Sequence, residues 1–206
     1  MSKAWPSRRT TAAVRKGDLR EQQILDAAET LLESRGYADM TVGDIAQAAG
    51  ITRGALYFYF GSKQEVLTAL VARIFQALHE TAGAARDADG PVDEAITAAL
   101  ERTARLWREH GVVMRMAVDL ASTVADIDRL WADAARASAE AIAEVLRRAG
   151  VPDGGGPGDG PALAAALCWM IERSFYQASK VSTEALDEAC RTCQVVWRQL
   201  ARGVSQ

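Results

Sequence analysis

The sequence predicts an all-α protein of about nine helices, and three observations support this class. Apolar residues recur at helical spacing along most of the 206 residues, and no alternating strand pattern of useful length occurs. Glycine and proline are sparse outside two short stretches, of which residues 151–160 form the one clear loop. With 49% hydrophobic and 25% charged residues, the chain can bury a core and is neither disordered nor fibrous.

Four helices are predicted in the N-terminal third, each opened by a capping signal. The capping box Asp18-Leu-Arg-Glu21 opens the first helix, and Gly36 ends it. Thr41 caps a short second helix over residues 42–49, and Thr52 caps a third over residues 53–60. A second capping box, Ser62-Lys-Gln-Glu65, opens a long fourth helix.

Five further helices are predicted in the remaining two thirds. Pro91 suits the first residue of a helix that Gly111 closes, and Gly150 ends a later one. Pro161 begins an apolar helix, and Ser182 caps the last. The predicted ranges are 91–109, 112–121, 126–149, 162–180 and 183–202.

The charge is distributed unevenly along the chain. Residues 1–20 carry six Lys/Arg and one acid, whereas the rest carries 18 basic and 26 acidic residues, for a net charge of −3. A basic arm, which we place at residues 1–17 and expect to be flexible, fits a protein that touches a polyanion at one end. The alternative is a solvated terminal tail without a partner.

Several classes of protein are excluded by composition. The longest apolar stretch, residues 162–171, is about half the length of a membrane span. No apolar segment follows the basic start, so we expect no secretion signal and a cytoplasmic protein. Three cysteines cannot pair fully, which makes a disulfide framework an unfavourable interpretation.

The most informative window runs from Thr41 to Lys63. Two short helices joined by Ala49-Gly50-Ile51-Thr52 match a helix-turn-helix. Leu56 and Phe60 form the natural inward pair of the second helix, which leaves some of the rings of residues 57–59 on the surface. Beside Arg53 and Lys63 these rings predict a surface for phosphates and base edges. The alternative is that they pack against the following helix.

Residues 19–70 resemble the DNA-binding domain of the TetR family of bacterial transcriptional repressors. The residues that carry the resemblance are Ile24–Ala28, Leu31, Gly36-Tyr37, Thr41-Val42, Ile45-Ala46, Ala49-Gly50-Ile51, Leu56-Tyr57-Phe58-Tyr59-Phe60 and Ser62-Lys63. The resemblance implies that the third helix enters the major groove of double-stranded DNA. It implies base contacts from Thr52, Arg53, Gly54 and Ala55, and backbone contacts from Thr41, Tyr57, Tyr59 and Lys63. Gly43 stands where some members read bases, so direct readout is expected to depend on Arg53, which suits guanine.

Four of the five tryptophans lie on separate predicted helices of the C-terminal part, namely Trp107, Trp131, Trp169 and Trp197. Each tryptophan taken alone could belong to the hydrophobic core. If the four side chains converge from their separate helices, they would line an apolar cavity for a small molecule. Ala135 is expected to be a small residue in its lining. Three segments, Tyr57–Lys63, Ile127–Trp131 and Ala162–Tyr176, resemble the mycobacterial ethionamide-resistance repressor subgroup, which has a long apolar tunnel. That resemblance implies lining by Trp107, Met114, Val118, Trp131, Ile142, Cys168, Ile171, Phe175 and Trp197. The subgroup has asparagines where this chain has Cys168 and Ile171, so the present pocket is expected to be more apolar.

Other chemistry-bearing residues do not form a recognised site. Glu172 and Arg173 are interpreted as a structural pair, the alternative being a point where the helix reaches solvent. Cys190-Arg-Thr-Cys193 lies within a helix, so we interpret it as interface packing rather than a redox or metal motif. No nucleophile–base pair, metal-ligand spacing or phosphate loop is present, so we expect a non-enzyme with no cofactor and no metal.

The sequence therefore predicts a homodimeric repressor that binds a palindromic operator and is released by a hydrophobic small molecule. The predicted domains are a DNA-binding domain at residues 18–63 and a ligand-binding and dimerisation domain at residues 64–206, with the last two helices forming the dimer interface. Two alternatives stay open. One is an enzyme or carrier of an apolar metabolite with a vestigial DNA-binding domain, and the other is a thiol redox sensor.

Overall fold

The computed structural model describes residues 8–203, with side chains described for residues 17–200. This part of the chain forms nine α-helices and no strand. The helices are α1 Arg8–Asp39, α2 Val42–Ala48, α3 Arg53–Tyr59, α4 Lys63–Arg86, α5 Val92–Glu109, α6 Gly111–Leu120, α7 Ala125–Arg148, α8 Gly160–Ala178 and α9 Thr183–Gly203. The all-α prediction is confirmed.

Helix α1 differs from the prediction at its start. It begins at Arg8, so Asp18 lies inside the helix and does not cap it. Residues 8–17 of the expected flexible arm are thus helical, whereas residues 1–7 lie outside the described residues. The segment Arg8–Lys16 is rich in alanine, arginine and lysine, which favour helix, and Gly17 alone costs only about 1 kcal/mol there. At the other end Gly36 interrupts the helix with φ 76° and ψ 168°, as its identity predicts.

The chain divides into two compact units, Met1–Leu70 and Val71–Gln206. The first unit holds α1, α2, α3 and the first eight residues of α4. It extends to Leu70 rather than ending at Lys63, because the first two turns of α4 supply Val66, Leu67 and Leu70, all 1% exposed or less. Its other fully buried side chains include Ile24, Leu25, Met40, Ile45 and Leu56.

The second unit contains the rest of α4 and helices α5 to α9. Its helix bounds lie within two residues of the predicted ones. Pro91 is the N-cap of α5 rather than its first residue, and Gly111 begins α6 instead of closing α5. In the described residues no helix is long and apolar enough to cross a membrane.

Candidate DNA-binding surface and body cavity

The first half of the helix-turn-helix is held by a capping box at the start of α2. The Asp44 backbone N–H donates to Thr41 Oγ1 at 3.1 Å, and the Thr41 backbone N–H donates to Asp44 Oδ2 at 2.9 Å. Arg35 lies 3.5 Å from the other carboxylate oxygen. The Thr41 hydroxyl, which also donates to Asp44, is the main cause of the lowered pKa of this carboxyl. Thr41 is thereby fixed at the N-terminus of α2, where the resemblance places a backbone phosphate.

The turn between the two helices depends on one glycine. Gly50 has φ 64°, in the left-handed region that glycine adopts at little cost. The Ile51 N–H then bonds to the Ala46 carbonyl at 2.9 Å, which closes the C-terminus of α2. Thr52 is the N-cap of α3, and its hydroxyl accepts a hydrogen bond from the Ala55 N–H at 3.1 Å.

Helix α3 presents two different faces. Leu56 is completely buried and Phe60, its C-cap, is 7% exposed, as predicted for the inward pair. On the other side Tyr57 is 45% and Phe58 85% exposed. Packing against the following helix therefore does not account for these two rings. We call the exposed residues Thr52, Arg53, Gly54, Ala55, Tyr57 and Phe58 the α3 surface.

Within the α3 surface, Arg53 is aligned by its neighbour one turn on. Its Nη2 donates to Tyr57 Oη at 3.1 Å, and the guanidinium carbon lies 5.6 Å from the Tyr57 ring centroid. Tyr59 is half-buried and contacts Phe58 edge-on, with ring centroids 5.3 Å apart. Phe58 belongs to the ring set predicted for this surface, but it was not among the contacts that the resemblance implies.

Lys63 differs most from its expected role. Its ammonium donates to the carbonyls of Tyr37, Ala38 and Met40 at 2.9, 3.4 and 3.0 Å, and it lies 4.5 Å from the Tyr37 ring centroid. An ammonium has three N–H donors, so all of them are engaged within the protein. The structure therefore assigns Lys63 to the connection after Gly36, and a phosphate contact would require it to leave these carbonyls.

The second unit holds an apolar cavity of about 140 Å³. All four tryptophans named in the sequence line it, each from a different helix, α5, α7, α8 and α9. Of the ten predicted pocket residues, eight contribute to its walls: Trp107, Met114, Trp131, Ala135, Ile142, Cys168, Ile171 and Trp197. Whether a ligand binds there stays a prediction.

Two predicted pocket residues are not part of the wall. Phe175 is completely buried in the core, and Val118 is half-buried outside the cavity. The prediction missed residues of α4 and α5, although their helical spacing was a usable signal. These are Leu78, Thr81, Ala82 and Ala85 on α4, and Ile96, Ala99, Leu100 and Thr103 on α5.

The cavity wall contains one ionisable carboxyl, that of Glu172. Arg173 Nε lies 3.9 Å from Glu172 Oε2, but Oε1 is buried without a hydrogen-bond partner in the described structure. Burial is the main cause of the raised pKa of Glu172, and Arg173 partly opposes it. The expected structural pair is thus loose: the Glu172 side chain is 12% exposed, whereas that of Arg173 is 57% exposed and faces the Tyr176 ring.

The cysteines have the environment of packing residues. Burial raises the pKa of Cys193 and of Cys168 to about 11, and it also raises that of Cys190. Because the thiolate is the reactive form, these thiols are poorly suited to redox sensing. Among the described residues no group of three or more His, Cys, Asp or Glu could hold a metal ion.

The fold and the α3 surface together define a helix-turn-helix protein with a helical second unit. Residues 24–70 match the family described as bacterial regulatory proteins, tetR family. Over these residues the chain is therefore similar to the tetR family, as the sequence motifs predicted.

Curated relatives are similar in sequence to this chain over a segment of about the same length. The chain is 53% identical over 58 residues to the HTH-type transcriptional regulator EthR of Mycobacterium tuberculosis, covering 28% of this chain and 27% of that protein. It is 48% identical over 59 residues to the HTH-type transcriptional regulator TtgR of Pseudomonas putida, covering 29% and 26%. The similarity spans about a quarter of the length of these relatives.

The likeness of fold extends further along the chain. The crystal structure of the TetR family transcriptional regulator PfmR from Thermus thermophilus superposes with a TM-score of 0.67 over 85% of this chain and 97% of that one. At 23% identity this likeness shows a shared fold. Over that 85% of its length, the chain thus shares the fold of this structure.

Proposed function

We propose that this chain is a transcriptional repressor that binds a palindromic operator as a homodimer and is released by a hydrophobic small molecule. The observation that carries the proposal is the α3 surface. An arginine, a tyrosine and a phenylalanine stand exposed beside a capped helix N-terminus, within a domain of the TetR family. Phe58 is 85% exposed, which is unfavourable for an apolar ring in water. In a major groove the same ring would contact thymine methyl groups.

The proposed DNA contacts follow from the chemistry of the α3 surface. Arg53 would contact guanine O6 and N7 with two of its three guanidinium nitrogens. Nη2 carries two hydrogens, so its bond to Tyr57 does not prevent this contact. Gly54 and Ala55 have small side chains, which allow the start of α3 to approach the base edges. Tyr57 would donate its hydroxyl to a phosphate, and Thr41 would do so after its hydroxyl releases Asp44. These two contacts would fix the register of the domain.

Selection from a random DNA library followed by fluorescence anisotropy tests this function. We expect an enriched inverted repeat, with half-sites about 34 Å apart, one helical turn. The Arg53→Ala variant should lose about 1–3 kcal/mol per half-site and relax its preference at one base pair. Arg129→Ala, which removes an exposed arginine from α7, serves as the control. Failure to enrich any sequence would contradict the proposal.

The proposed dimer interface lies on α8 and α9. Large apolar side chains stand exposed on both helices: Trp169 is 51%, Val195 53% and Val196 37% exposed. Large apolar side chains that stand exposed on two packed helices are typical of protein interfaces. We expect a dimer at micromolar concentration by light scattering, and Val195→Glu should shift it toward monomer. A monomeric wild-type protein that still bound the inverted repeat would contradict this assembly.

Helix α4 offers a route for the ligand response. Its residues 63–70 belong to the N-terminal unit, and Leu78, Thr81, Ala82 and Ala85 line the cavity. A ligand that binds one arrangement of α4 better than another would shift the population between DNA-binding and released forms. The coupling is reciprocal, so operator DNA should weaken ligand binding by the same factor.

A further inference from the structure

The wall of the cavity contains few polar groups, and three of them are already engaged. The hydroxyl of Thr81 donates to the Ala77 carbonyl at 3.0 Å, and that of Thr103 to the Ala99 carbonyl at 2.9 Å. Cys168 Sγ lies 3.6 Å from the Ala135 carbonyl. These groups satisfy the backbone of their own or a neighbouring helix, so they are not directed at a ligand.

Two buried polar atoms of wall residues have no partner among the described residues. They are Glu172 Oε1 and the indole nitrogen Nε1 of Trp197, both buried. A buried polar atom without a partner is rare in a native structure and needs an explanation. The indole N–H can only donate, whereas the carboxylate can only accept when it is ionised. Glu172 is therefore the group able to bind a donor or a cation.

The nearest cation does not satisfy this carboxylate. Arg173 Nε is 3.9 Å from Oε2, beyond hydrogen-bond distance, and its guanidinium carbon lies 5.0 Å from the Tyr176 ring centroid. Burial without a close partner is also why the pKa of Glu172 is raised. A positive group brought to Oε1 would stabilise the ionised carboxyl.

The rest of the wall favours a cation over a neutral donor. Four tryptophans surround the cavity, and the indole face attracts positive charge. A charge-assisted hydrogen bond is about twice as strong as a neutral one, and more so where water is excluded. We propose that the cavity binds a hydrophobic amine, with its apolar body among the tryptophans and its protonated nitrogen donating to the Glu172 carboxylate. This inference rests on the proposed ligand response and names the class of ligand.

Four probes with one apolar body test the inference on the full-length protein without DNA. They are 4-phenylbutylamine, 4-phenylbutan-1-ol, 4-phenylbutyrate and butylbenzene, with binding measured by tryptophan fluorescence and calorimetry. We expect the amine to bind about tenfold more tightly than the alcohol, and the butyrate to bind least. Glu172→Gln should weaken the amine about tenfold and leave the alcohol nearly unchanged. Glu94→Gln, which removes an exposed carboxylate from α5, should change neither.

The melting temperature of a second variant shows whether a loss of binding is caused by misfolding. Replacing the unpartnered carboxyl by a hydrocarbon in Glu172→Leu should raise the melting temperature of the ligand-free protein by about 2–4 °C and abolish the preference for the amine. Equal affinities for amine and alcohol, or a preference that survives in Glu172→Gln, would overturn the inference, as would absence of binding by all four probes. Operator binding without ligand is tested separately with the Arg53→Ala variant of α3. None of the outcomes above would therefore contradict the proposed DNA binding.

Discussion

At the scale of single residues, Lys63 shows how a side chain predicted for DNA can serve the fold. The resemblance places it among phosphate contacts, but its ammonium is surrounded by three carbonyls of residues 37–40. These carbonyls follow Gly36, where α1 loses its helical geometry and its last carbonyls lose intrahelical partners. The half-buried ammonium of Lys63 replaces the missing N–H groups.

We therefore predict that Lys63→Met destabilises the protein by about 2 kcal/mol, because three carbonyls lose their donor while the apolar stem is kept. Urea denaturation followed by circular dichroism measures the change. Arg129→Met, at an exposed arginine, should stay within about 0.5 kcal/mol of wild type. If Lys63→Met instead kept full stability and weakened DNA binding, Lys63 would be a phosphate contact in the way the sequence suggests.

At the scale of elements, the turn between α2 and α3 depends on backbone conformation alone. Gly50 has φ 64°, and a Cβ placed there would meet no atom within 4 Å. Gly17, inside α1, also has open space but no positive φ. Substitutions at Gly50 and at Gly17 can therefore be compared to distinguish the effect of backbone conformation from that of packing.

Gly50→Ala should accordingly destabilise the protein by about 1–2 kcal/mol, the cost of a left-handed non-glycine residue. Gly17→Ala should stabilise it by up to about 1 kcal/mol, because alanine favours helix. Both changes are measured as shifts in the urea midpoint. A loss of stability in Gly17→Ala, or none in Gly50→Ala, would show that the backbone argument is wrong.

The helices were predictable because their end signals are local. Thr41, Thr52 and Ser62 each accept a hydrogen bond from a backbone N–H three residues on, so residue type and spacing suffice. The start of α1 was not predictable from its capping box, since Asp18 lies inside a helix that continues to Arg8. A capping motif shows where a helix can begin, and the helix propensity of the preceding residues decides whether it does.

At the scale of the whole molecule, the cavity was only partly predictable. The large tryptophan side chains on separate helices indicated a cavity, and eight of the predicted residues line it. The contributions of α4 and α5 depend on how the helices around the cavity meet, which no single window of sequence contains. The state of Glu172 also depends on tertiary packing, because the sequence shows the neighbouring Arg173 but not that it faces Tyr176.

The proposed switch predicts that filling the cavity mimics the ligand. Ala135 on α7 lines the cavity, whereas Ala132, three residues earlier on the same helix, is exposed. Ala135→Trp should compete with any ligand for about 140 Å³ of space and should lower operator affinity without ligand. Full conversion from 1:99 to 99:1 would need about 5.5 kcal/mol, so we expect a partial loss of roughly tenfold. Anisotropy with the selected operator measures this, and circular dichroism verifies the fold.

Ala132→Trp is the matched control, since it adds the same ring to the same helix outside the cavity, and its operator affinity should be unchanged. The filled variant should also fail to bind butylbenzene, which reports on cavity space without requiring the Glu172 carboxylate. Normal operator binding by Ala135→Trp, together with lost butylbenzene binding, would show that the cavity is not coupled to α3. The coupling through α4 would then be refuted, while ligand binding and DNA binding would remain as separate properties of the two units.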